Sequence, residues 1–475
     1  MVFSSIVFLS VFLPAVFLLY TVIPSLKVRN GLLIAASLAF YAYGEPVYVL
    51  LMLFSSVLNY LCALWVDRDP RQKSKAALVT AVAVNLGILA VFKYTGMFVS
   101  TFNTLTGLSV PVPEIALPIG ISFFTFQALS YVIDVYRGAV EVQKNYFNIL
   151  LYITFFPQLI AGPIVKYRDI NRQITDREQS TEKIARGFRR FIGGLAKKVL
   201  IANAMGQAAD VIFAQDTAAM ALPTAWLGAV AYLFQIYYDF SGYSDMAIGL
   251  GLLFGFEFKE NFLYPYGAVS VQDFWRRWHI SLSTWFKEYL YFPLGGNRKG
   301  KARTALNRVI VFFFTGLWHG ANWTFVLWGL WHGLFLLIEE YVPFMRKLPR
   351  AVGHLYTLLV VTLGFVLFRA DTIAYGFGYL GRMFAGFEMT DASLSLALSQ
   401  LTPWFIVMLI AAIVGCAPIR PLSDRLRSVL YGEAELTAGG KLAEAALYLF
   451  AAAGLVWCML RLSTGAYNPF IYFRF

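Results

Sequence analysis

Long apolar stretches separated by short polar loops run along the whole chain. A helix needs about 20 mostly apolar residues to cross the hydrocarbon core of a bilayer, and most of the stretches reach or approach that length. We therefore expect an all-α integral membrane protein with about a dozen transmembrane and re-entrant segments, some bent or split, in one polytopic domain spanning residues 1–475. The stretches are 1–26, 30–44, 46–66, 76–92, 115–133, 145–165, 217–238, 309–338, 351–368, 392–419 and 445–460.

The basic residues between these stretches predict the orientation of the chain. Lys27 and Arg29 follow the first stretch, and the 68–75 segment after the third stretch carries four more Lys or Arg residues. Because cytoplasmic loops of membrane proteins are enriched in Lys and Arg, we expect both loops in the cytoplasm and the N-terminus outside. The more polar 93–114 segment is then an external loop, and 423–441 is a later polar connector.

The 145–165 stretch is expected to enter the membrane and return to the same side. Arg137 precedes it and Lys166 follows it, and both loops favour the cytoplasm. Pro157 and Pro163 interrupt a straight helix within the stretch. Irregular backbone at membrane depth is tolerated only where protein or a water-filled cavity surrounds it. The pattern therefore indicates a central cavity.

Two basic stretches, 183–198 and 274–290, are predicted to be helices that lie at the membrane surface. In the second, apolar side chains recur at helical spacing, and Arg276 lies among the polar residues of the opposite face. His279 shares the apolar face because it follows Trp275 by four residues. The alternative for this stretch is a helix that packs over a cavity and supplies polar groups to it.

Composition agrees with a lipid environment. Hydrophobic residues make up 59% of the 475 residues and charged residues 14%, whereas soluble proteins are about 25% charged. The net charge of +12 comes from residues in loops, which indicates cytoplasmic loops rather than nucleic-acid binding. The three cysteines stand without a CxxC pair, and no HExxH motif occurs. Neither a disulfide framework nor a metal site is predicted.

His319 is the strongest candidate for chemistry. It follows Arg308 by eleven residues in the charge-free 309–338 stretch, which corresponds to roughly mid-membrane at a helical rise of about 1.5 Å per residue. An ionisable side chain at that depth is costly and is a functional candidate by default. Gly316 and Gly320 would let another helix approach closely or leave room for a ligand. The alternative is a neutral histidine hydrogen-bonded to a neighbouring helix.

Two further groups of polar residues suggest roles. Asp239 and Asp245 adjoin apolar runs, and as buried carboxylates they are expected to form ion pairs with Arg276 and Arg277. No GxSxG nucleophile motif occurs, so imidazoles of His319 and a second histidine facing one cavity would suit general-base catalysis instead. A basic loop is expected to face lipid headgroups or the phosphates of a cytosolic donor. Its basic residues are Arg298, Lys299, Lys301 and Arg303.

Several ordered blocks of sequence resemble the membrane-bound O-acyltransferase family, in particular its bacterial branch typified by alginate O-acetyltransferases. Such long blocks are more specific than one short motif. The resemblance runs from residue 1 to about 340, with the motifs concentrated in a core of about 115–340, and resumes at the C-terminus. The blocks are LPIGISF (117–123), FPQLIAGP (156–163), YDFSGYSDMA (238–247), NF and PY (261–266), FWRRWHISLS (274–283), GLWHGAN (316–322) and PFIYF (469–473).

The resemblance implies a bundle of helices around a central funnel in a multi-pass protein of the bacterial cytoplasmic membrane. His319 matches the family's catalytic histidine and would act as general base, and His279 matches a second signature position. His279 and Asn322 are expected to orient the base or to stabilise an oxyanion. The residues predicted to bind substrate are Trp275, Arg276, Trp278, Ser281, Asn322, Asp239 and Tyr243.

The same resemblance implies the substrates and partners. No bound cofactor is expected, because acetyl-CoA or another acyl thioester would arrive from the cytosol as a donor substrate. The acceptor would be an extracellular polysaccharide, reached through an extracytoplasmic acyltransferase partner protein, and the protein would contact membrane lipid but no nucleic acid. One alternative is D-alanyl transfer to teichoic acid from a carrier protein. Another is a transporter or flippase of a lipid-linked sugar, because interrupted helices also occur in transporters.

Overall fold

The computed structural model describes residues 1–69, 72–417, 438–465 and 467–471. It is helical throughout, and no strand occurs in those ranges, so the predicted all-α class is confirmed. Parts of three predicted features lie outside the described residues. They are the end of the 392–419 stretch, most of the 423–441 connector and the last two residues of the PFIYF block.

The apolar stretches are largely helical, and further helices lie between them. The α-helices are α1 Leu13–Val22, α2 Leu26–Ala42, α3 Tyr48–Val66, α4 Lys75–Leu89, α5 Thr95–Thr106, α6 Ile121–Tyr136, α7 Tyr146–Thr154, α8 Phe156–Leu159, α9 Tyr167–Thr175, α10 Thr181–Ala196, α11 Asn203–Phe213, α12 Leu222–Leu253, α13 Val271–Arg277, α14 Ile280–Phe286, α15 Lys301–His319, α16 Trp323–Tyr341, α17 Arg350–Arg369, α18 Ile373–Ala385, α19 Asp391–Gln400, α20 Pro403–Gly415 and α21 Ala438–Ser463. Four π-helical turns occupy Phe8–Phe12, Ala90–Tyr94, Lys197–Ala202 and Lys287–Tyr291. Short 3₁₀ turns occupy Thr217–Ala219, Pro265–Gly267 and Pro343–Lys347.

Four helical segments of the described chain are long and apolar enough to cross a membrane. A fifth candidate is the pair α19 and α20, which is bent by 69°. The remaining apolar stretches form helices that are shorter, broken or more polar, so length and composition identify fewer crossings than the predicted dozen. The four segments are Tyr48–Val66, Lys75–Thr106, Arg350–Arg369 and Leu442–Ser463.

The predicted external loop at 93–114 is wrong for residues 93–106, which are helical. The π-helical turn Ala90–Tyr94 leads directly into α5, so α4 and α5 form one segment of 32 residues, Lys75–Thr106. The polar residues of α5 are hydroxyl and amide side chains without charge, and Ser and Thr are common inside membrane helices. The segment ends at Gly107, whose φ of +72° is the left-handed conformation that commonly follows a helix.

The predicted interruption of the 145–165 stretch is confirmed. Helix α7 ends at Thr154, the short α8 begins at Phe156, and irregular backbone follows. Residues 149–167 are buried without exception, so protein surrounds this irregular segment, as membrane-embedded backbone requires. Its return to the same side of the membrane stays a prediction.

Helix α12 forms the centre of the core and packs closely against α10. A Cβ atom added to Gly194 of α10 would lie 2.5 Å from the carbonyl oxygen of Gly242 in α12, and one added to Gly187 would lie 2.8 Å from that of Gly249. Such close approach is possible only because these residues lack side chains. The 183–198 stretch is therefore not a free surface helix, because one of its faces is packed along α12.

The predicted ion pairs of Asp239 and Asp245 exist, but their predicted partners are wrong. Asp245 pairs with Arg190 at 2.6 Å and with Lys197 at 2.7 Å, and Asp239 pairs with Lys198 at 2.8 Å. These basic residues belong to α10 and the π-helical turn after it, which lie against α12. In α13, Arg277 instead pairs with Asp273 one turn away, and Arg276 reaches Gln272.

Candidate active site

A tight helical hairpin positions His319. The 309–338 stretch, which contained His319 near its middle, divides into α15 and α16, and His319 is the last residue of α15. A Cβ added to Gly316 would lie 2.3 Å from Phe325 O, and one added to Gly329 would lie 2.2 Å from Phe312 O. The close approach predicted for Gly316 is therefore confirmed.

Aromatic rings enclose the His319 imidazole. The side chain is 6% exposed, and its ring centroid lies 5.0 Å from that of Trp318, 5.0 Å from Trp328 and 5.3 Å from Phe368. Neither ring nitrogen has a hydrogen-bond partner among the described residues. The hydrogen bond to a neighbouring helix that we considered as the alternative is therefore absent there, and both buried nitrogens are left without a partner among those residues.

The predicted continuous helix over 274–290 is wrong, because the chain breaks at His279. Helix α13 ends at Arg277, α14 begins at Ile280, and His279 takes the left-handed conformation with a φ of +44°. A residue with a Cβ rarely adopts this conformation, which costs on the order of 1–3 kcal/mol and is concentrated at functional sites. The break brings the fully buried His279 ring to a centroid distance of 6.3 Å from His319.

Asn261, which was not among the predicted site residues, holds His279 in place. Its side-chain oxygen accepts hydrogen bonds from the backbone N–H of Ser281 at 3.1 Å and from the Ser281 hydroxyl at 2.9 Å, and lies 3.3 Å from His279 Nδ1. An amide oxygen only accepts, so neutral His279 carries its proton on Nδ1 and leaves Nε2 as an acceptor. The sequence did offer one signal for Asn261, because it is the first residue of the NF block that resembles the family.

We expect Asn261→Ala to lower the rate of acyl transfer by on the order of 10²-fold, because a displaced group in an active site has effects of that size. Steady-state kinetics of the purified variant measures the change. The matched control is Ser244→Ala, since Ser244 bonds only the far side of the Asn261 amide, at 3.2 Å. If both variants retain the wild-type rate, Asn261 does not position His279.

His319 lines one cavity, and a second cavity lies one helical turn away from it on α15. The Gly120 cavity, of about 420 Å³, is lined by Glu45, Lys93, Gly120, Ser122 and His319, among others. A second cavity, of about 330 Å³, is lined by residues that include Thr315, one helical turn before His319. We call it the Arg308 cavity, and its polar lining residues include Arg276, Ser283, Lys287, Arg308 and Thr315.

Four of the predicted substrate-binding residues lie near these cavities or the histidines. Trp275 and Arg276 line the Arg308 cavity. Trp278 lines a small space of about 10 Å³ against His319. The Ser281 hydroxyl bonds Asn261 and accepts from the backbone N–H of Ile164 at 3.0 Å.

The other three predicted residues are engaged elsewhere. Asn322 caps α16 by accepting from Thr324 N at 3.1 Å, and its amide donates to Asp371 O at 2.8 Å. Asp239 is occupied by Lys198. The Tyr243 ring stacks between Phe3 and Phe470, with centroid distances of 4.6 and 4.7 Å. The structure therefore does not bring Asp239 and Tyr243 to the cavities described above.

Comparisons with known proteins agree with the resemblance in the sequence. The model of the family described as "MBOAT, membrane-bound O-acyltransferase family" matches residues 38–370. The "Probable alginate O-acetylase AlgI" of Azotobacter vinelandii is 40% identical, with all of both chains aligned. The "Peptidoglycan O-acetyltransferase" of Helicobacter pylori is 37% identical, with 78% of each chain aligned. The "Teichoic acid D-alanyltransferase" of Bacillus subtilis is 26% identical over 63% of this chain and 78% of its own.

The predicted resemblance is thus confirmed and extends further than expected. The Azotobacter protein aligns with the whole chain, including the residues between about 340 and the C-terminal block, where no resemblance was identified from the sequence. Together with the apolar helices, the family match shows that the protein is a multi-pass membrane protein and an acyltransferase. The chain belongs to the membrane-bound O-acyltransferase family.

Proposed function

We propose that the protein is an O-acetyltransferase that moves an acetyl group from a cytosolic thioester to hydroxyl groups of an extracellular polysaccharide, with His319 as general base. The observation that carries the proposal is the buried His319 imidazole, whose nitrogens have no partner among the described residues and which lies on the wall of the Gly120 cavity. The relatives named as O-acetylase and O-acetyltransferase support the acetyl group and the polysaccharide acceptor.

In this mechanism His319 takes the proton of the acceptor hydroxyl as its oxygen attacks the thioester carbonyl carbon. The tetrahedral oxyanion then collapses, the C–S bond breaks, and the leaving thiolate takes the proton from the His319 imidazolium. Neutral His279 has no proton on Nε2 to give to an oxyanion, since its Nδ1 faces Asn261. Of the two roles expected for His279, orienting His319 then remains, through packing of the two rings at a centroid distance of 6.3 Å rather than through a hydrogen bond.

The positions of the two cavities support transfer from one membrane face to the other. Lys75 and Lys301 begin helical segments at basic loops, and Lys93 and His319 each lie 18 residues further on, about 27 Å along the helix. With those loops in the cytoplasm, the Arg308 cavity opens on the cytoplasmic side and the Gly120 cavity on the outer side. About a dozen embedded segments around this central funnel complete the proposed architecture.

The Arg308 cavity suits an acyl-CoA donor. Cationic side chains of Arg276, Lys287 and Arg308 line it together with Trp275 and Phe312. Phosphates favour cationic partners through charge-assisted hydrogen bonds, and the apolar walls suit the donor's alkyl arm. The exposed basic residues Arg298 and Lys299 before α15, and Lys301 and Arg303 in its first turn, add further positive charge outside the cavity. Acetyl-CoA acts here as a substrate, so the proposal includes no bound cofactor.

We expect Arg276→Gln and Lys287→Gln each to raise the KM for acetyl-CoA by about tenfold, since a hydrogen bond to a charged group is worth about 1.5–3 kcal/mol. The kcat value should change far less, because these groups bind the donor away from the reacting carbonyl. Release of free CoA thiol measures both constants. Arg186→Gln, in an exposed helix pair with Glu182, is the control and should leave KM unchanged. Unchanged KM in all three variants contradicts this donor site.

D-alanyl transfer is the second candidate within the family. The Bacillus subtilis relative with that name is 26% identical, against 40% for the Azotobacter O-acetylase, which favours acetyl transfer. A transporter or flippase is less favoured still, because the family is one of acyltransferases. A transporter would move its substrate without His319, so transport by a His319→Ala variant separates that alternative.

The direct test uses a bacterial cytoplasmic membrane preparation that contains the protein, an extracytoplasmic acyltransferase partner and polysaccharide. Radiolabelled acetyl-CoA and a D-alanyl carrier protein are supplied in parallel. The proposal expects label from acetyl-CoA in polysaccharide or in the partner protein. Label from the D-alanyl carrier alone would replace acetyl transfer by the second candidate.

A further inference from the structure

A buried lysine, Lys93, contacts the end of helix α15 directly beside His319. Its side chain is 9% exposed and lies within the apolar segment Lys75–Thr106. Among the described residues, no carboxylate forms a salt bridge with its ammonium group within 4.0 Å. A cation at membrane depth is expensive and marks a functional residue by default.

The backbone of this segment is deformed where Lys93 occurs. Ala90–Tyr94 form a π-helical turn between α4 and α5. Such a turn inserts an extra residue into a helix and is frequent at functional sites. Lys93 and Tyr94 are the two buried residues of the turn, and both side chains reach the end of α15.

Lys93 and Tyr94 bond three consecutive carbonyl groups at that helix end. The Tyr94 hydroxyl donates to Leu317 O at 2.8 Å, and Lys93 Nζ donates to Trp318 O at 2.5 Å and to His319 O at 3.3 Å. The last carbonyls of a helix have no partner within the helix, and in the described chain no backbone N–H caps this end. The ammonium group therefore replaces the cap, and its charge favours the negative end of the helix dipole.

We propose that Lys93 is a positioning residue for the base. By fixing the last turn of α15, its ammonium group holds the His319 imidazole at the wall of the Gly120 cavity, which both residues line. Ser122 Oγ, 3.3 Å from Lys93 Nζ, is the third acceptor of the ammonium group and lines the same cavity. The proposal rests on the proposed role of His319, and Lys93 itself exchanges no proton with substrate.

The test compares Lys93→Met, Lys93→Arg and Tyr94→Phe in membrane vesicles supplied with acetyl-CoA. We expect Lys93→Met to lower kcat by on the order of 10²-fold, as for a misplaced catalytic group, with KM for acetyl-CoA within about twofold. Lys93→Arg keeps the cation at the helix end, and its kcat should be at least about tenfold higher than that of Lys93→Met. Tyr94→Phe removes one bond to the same helix end without removing charge and should stay within about threefold.

Wild-type kcat in Lys93→Met overturns the proposal. So does a loss that Lys93→Arg does not relieve, or one that Tyr94→Phe reproduces in full. Thermal unfolding of each purified variant shows whether it is folded, and Lys93→Gln, which keeps donors without charge, replaces Lys93→Met if that variant unfolds.

A second measurement does not depend on turnover. Diethylpyrocarbonate modifies accessible imidazole nitrogens, and peptide mass spectrometry gives the modification rate at His319. Both ring nitrogens are buried, so we expect slow modification in the wild type, faster modification in Lys93→Met as the end of α15 loosens, and a rate near the wild-type value in Lys93→Arg. If the wild type does not consume acetyl-CoA, the proposed function fails, while faster His319 modification in Lys93→Met still supports the role of Lys93 and an unchanged or slower rate overturns it.

Discussion

Replacing His319 by alanine is expected to lower the rate of acyl transfer by about 10²- to 10⁴-fold, the contribution of a positioned general base. The ring nitrogens have no hydrogen-bond partner among the described residues. Within that part of the chain, the substitution therefore removes no hydrogen bond. The effect should appear in kcat more than in KM, because proton removal occurs in the transition state. Release of CoA thiol by purified wild-type and variant protein measures it.

Two variants make this result specific. His319→Gln keeps much of the volume that packs against Trp318 and Trp328 and should be as inactive as His319→Ala. His354→Ala is the matched control, because the half-buried His354 bonds the Ala268 carbonyl at 3.1 Å and lines none of the cavities near His319. Wild-type activity in His319→Gln would remove His319 from the mechanism.

Breaking the buried pair of Lys198 and Asp239 is expected to produce the largest loss of stability. Both side chains are almost completely buried, at 3% and 1% exposure, and their atoms are 2.8 Å apart. Removing one partner leaves an uncompensated buried charge, which costs about 3–5 kcal/mol. The pair also holds the C-terminal segment, since Lys198 donates to Pro469 O and Asp239 accepts from Ile471 N at 2.8 Å.

Unfolding of the single variants Lys198→Met and Asp239→Leu and of the double variant measures this loss. The double variant should recover much of the stability, because replacing both charges by apolar groups is often neutral. The exposed pair of Arg186 and Glu182 is the control and should change stability by less than about 1 kcal/mol. If Asp239→Leu is as stable as the wild type but inactive, the predicted substrate-binding role of Asp239 is favoured over an ion pair.

The apolar stretches predicted the helical class and most helix positions because burial in lipid or in a helical core imposes a continuous apolar pattern. His319 was found for the same reason, as an ionisable group near the middle of such a stretch. The hairpin at Gly320 and the continuation of α4 into α5 depend on contacts between segments, which the length of an apolar stretch does not report. Sequence length therefore predicted His319 in the middle of a stretch instead of at a helix end, and predicted Lys93 in a loop instead of inside a helical segment.

The residues that sequence reasoning missed act through partners distant in the chain. Lys93 donates hydrogen bonds to carbonyl groups more than 200 positions away. Asn261 lies before α13 and contacts His279 at the break between α13 and α14. The left-handed conformation of His279 leaves the helical spacing of apolar residues on both sides intact, so periodicity predicted one continuous helix. The partners of Asp239 and Asp245 were misassigned because the packing of α10 against α12 rests on glycines, which carry no apolar signal.

Membrane vesicles with the cytoplasmic face outward test the central claim, that acetyl groups cross the membrane through His319. Radiolabelled acetyl-CoA, which does not cross membranes, is added outside to vesicles carrying wild-type protein or His319→Ala. We expect label on polysaccharide or partner protein inside the wild-type vesicles, protected until detergent is added, and none inside the variant vesicles. Equal protected label in both, or label confined to the outer face of the wild type, would contradict it.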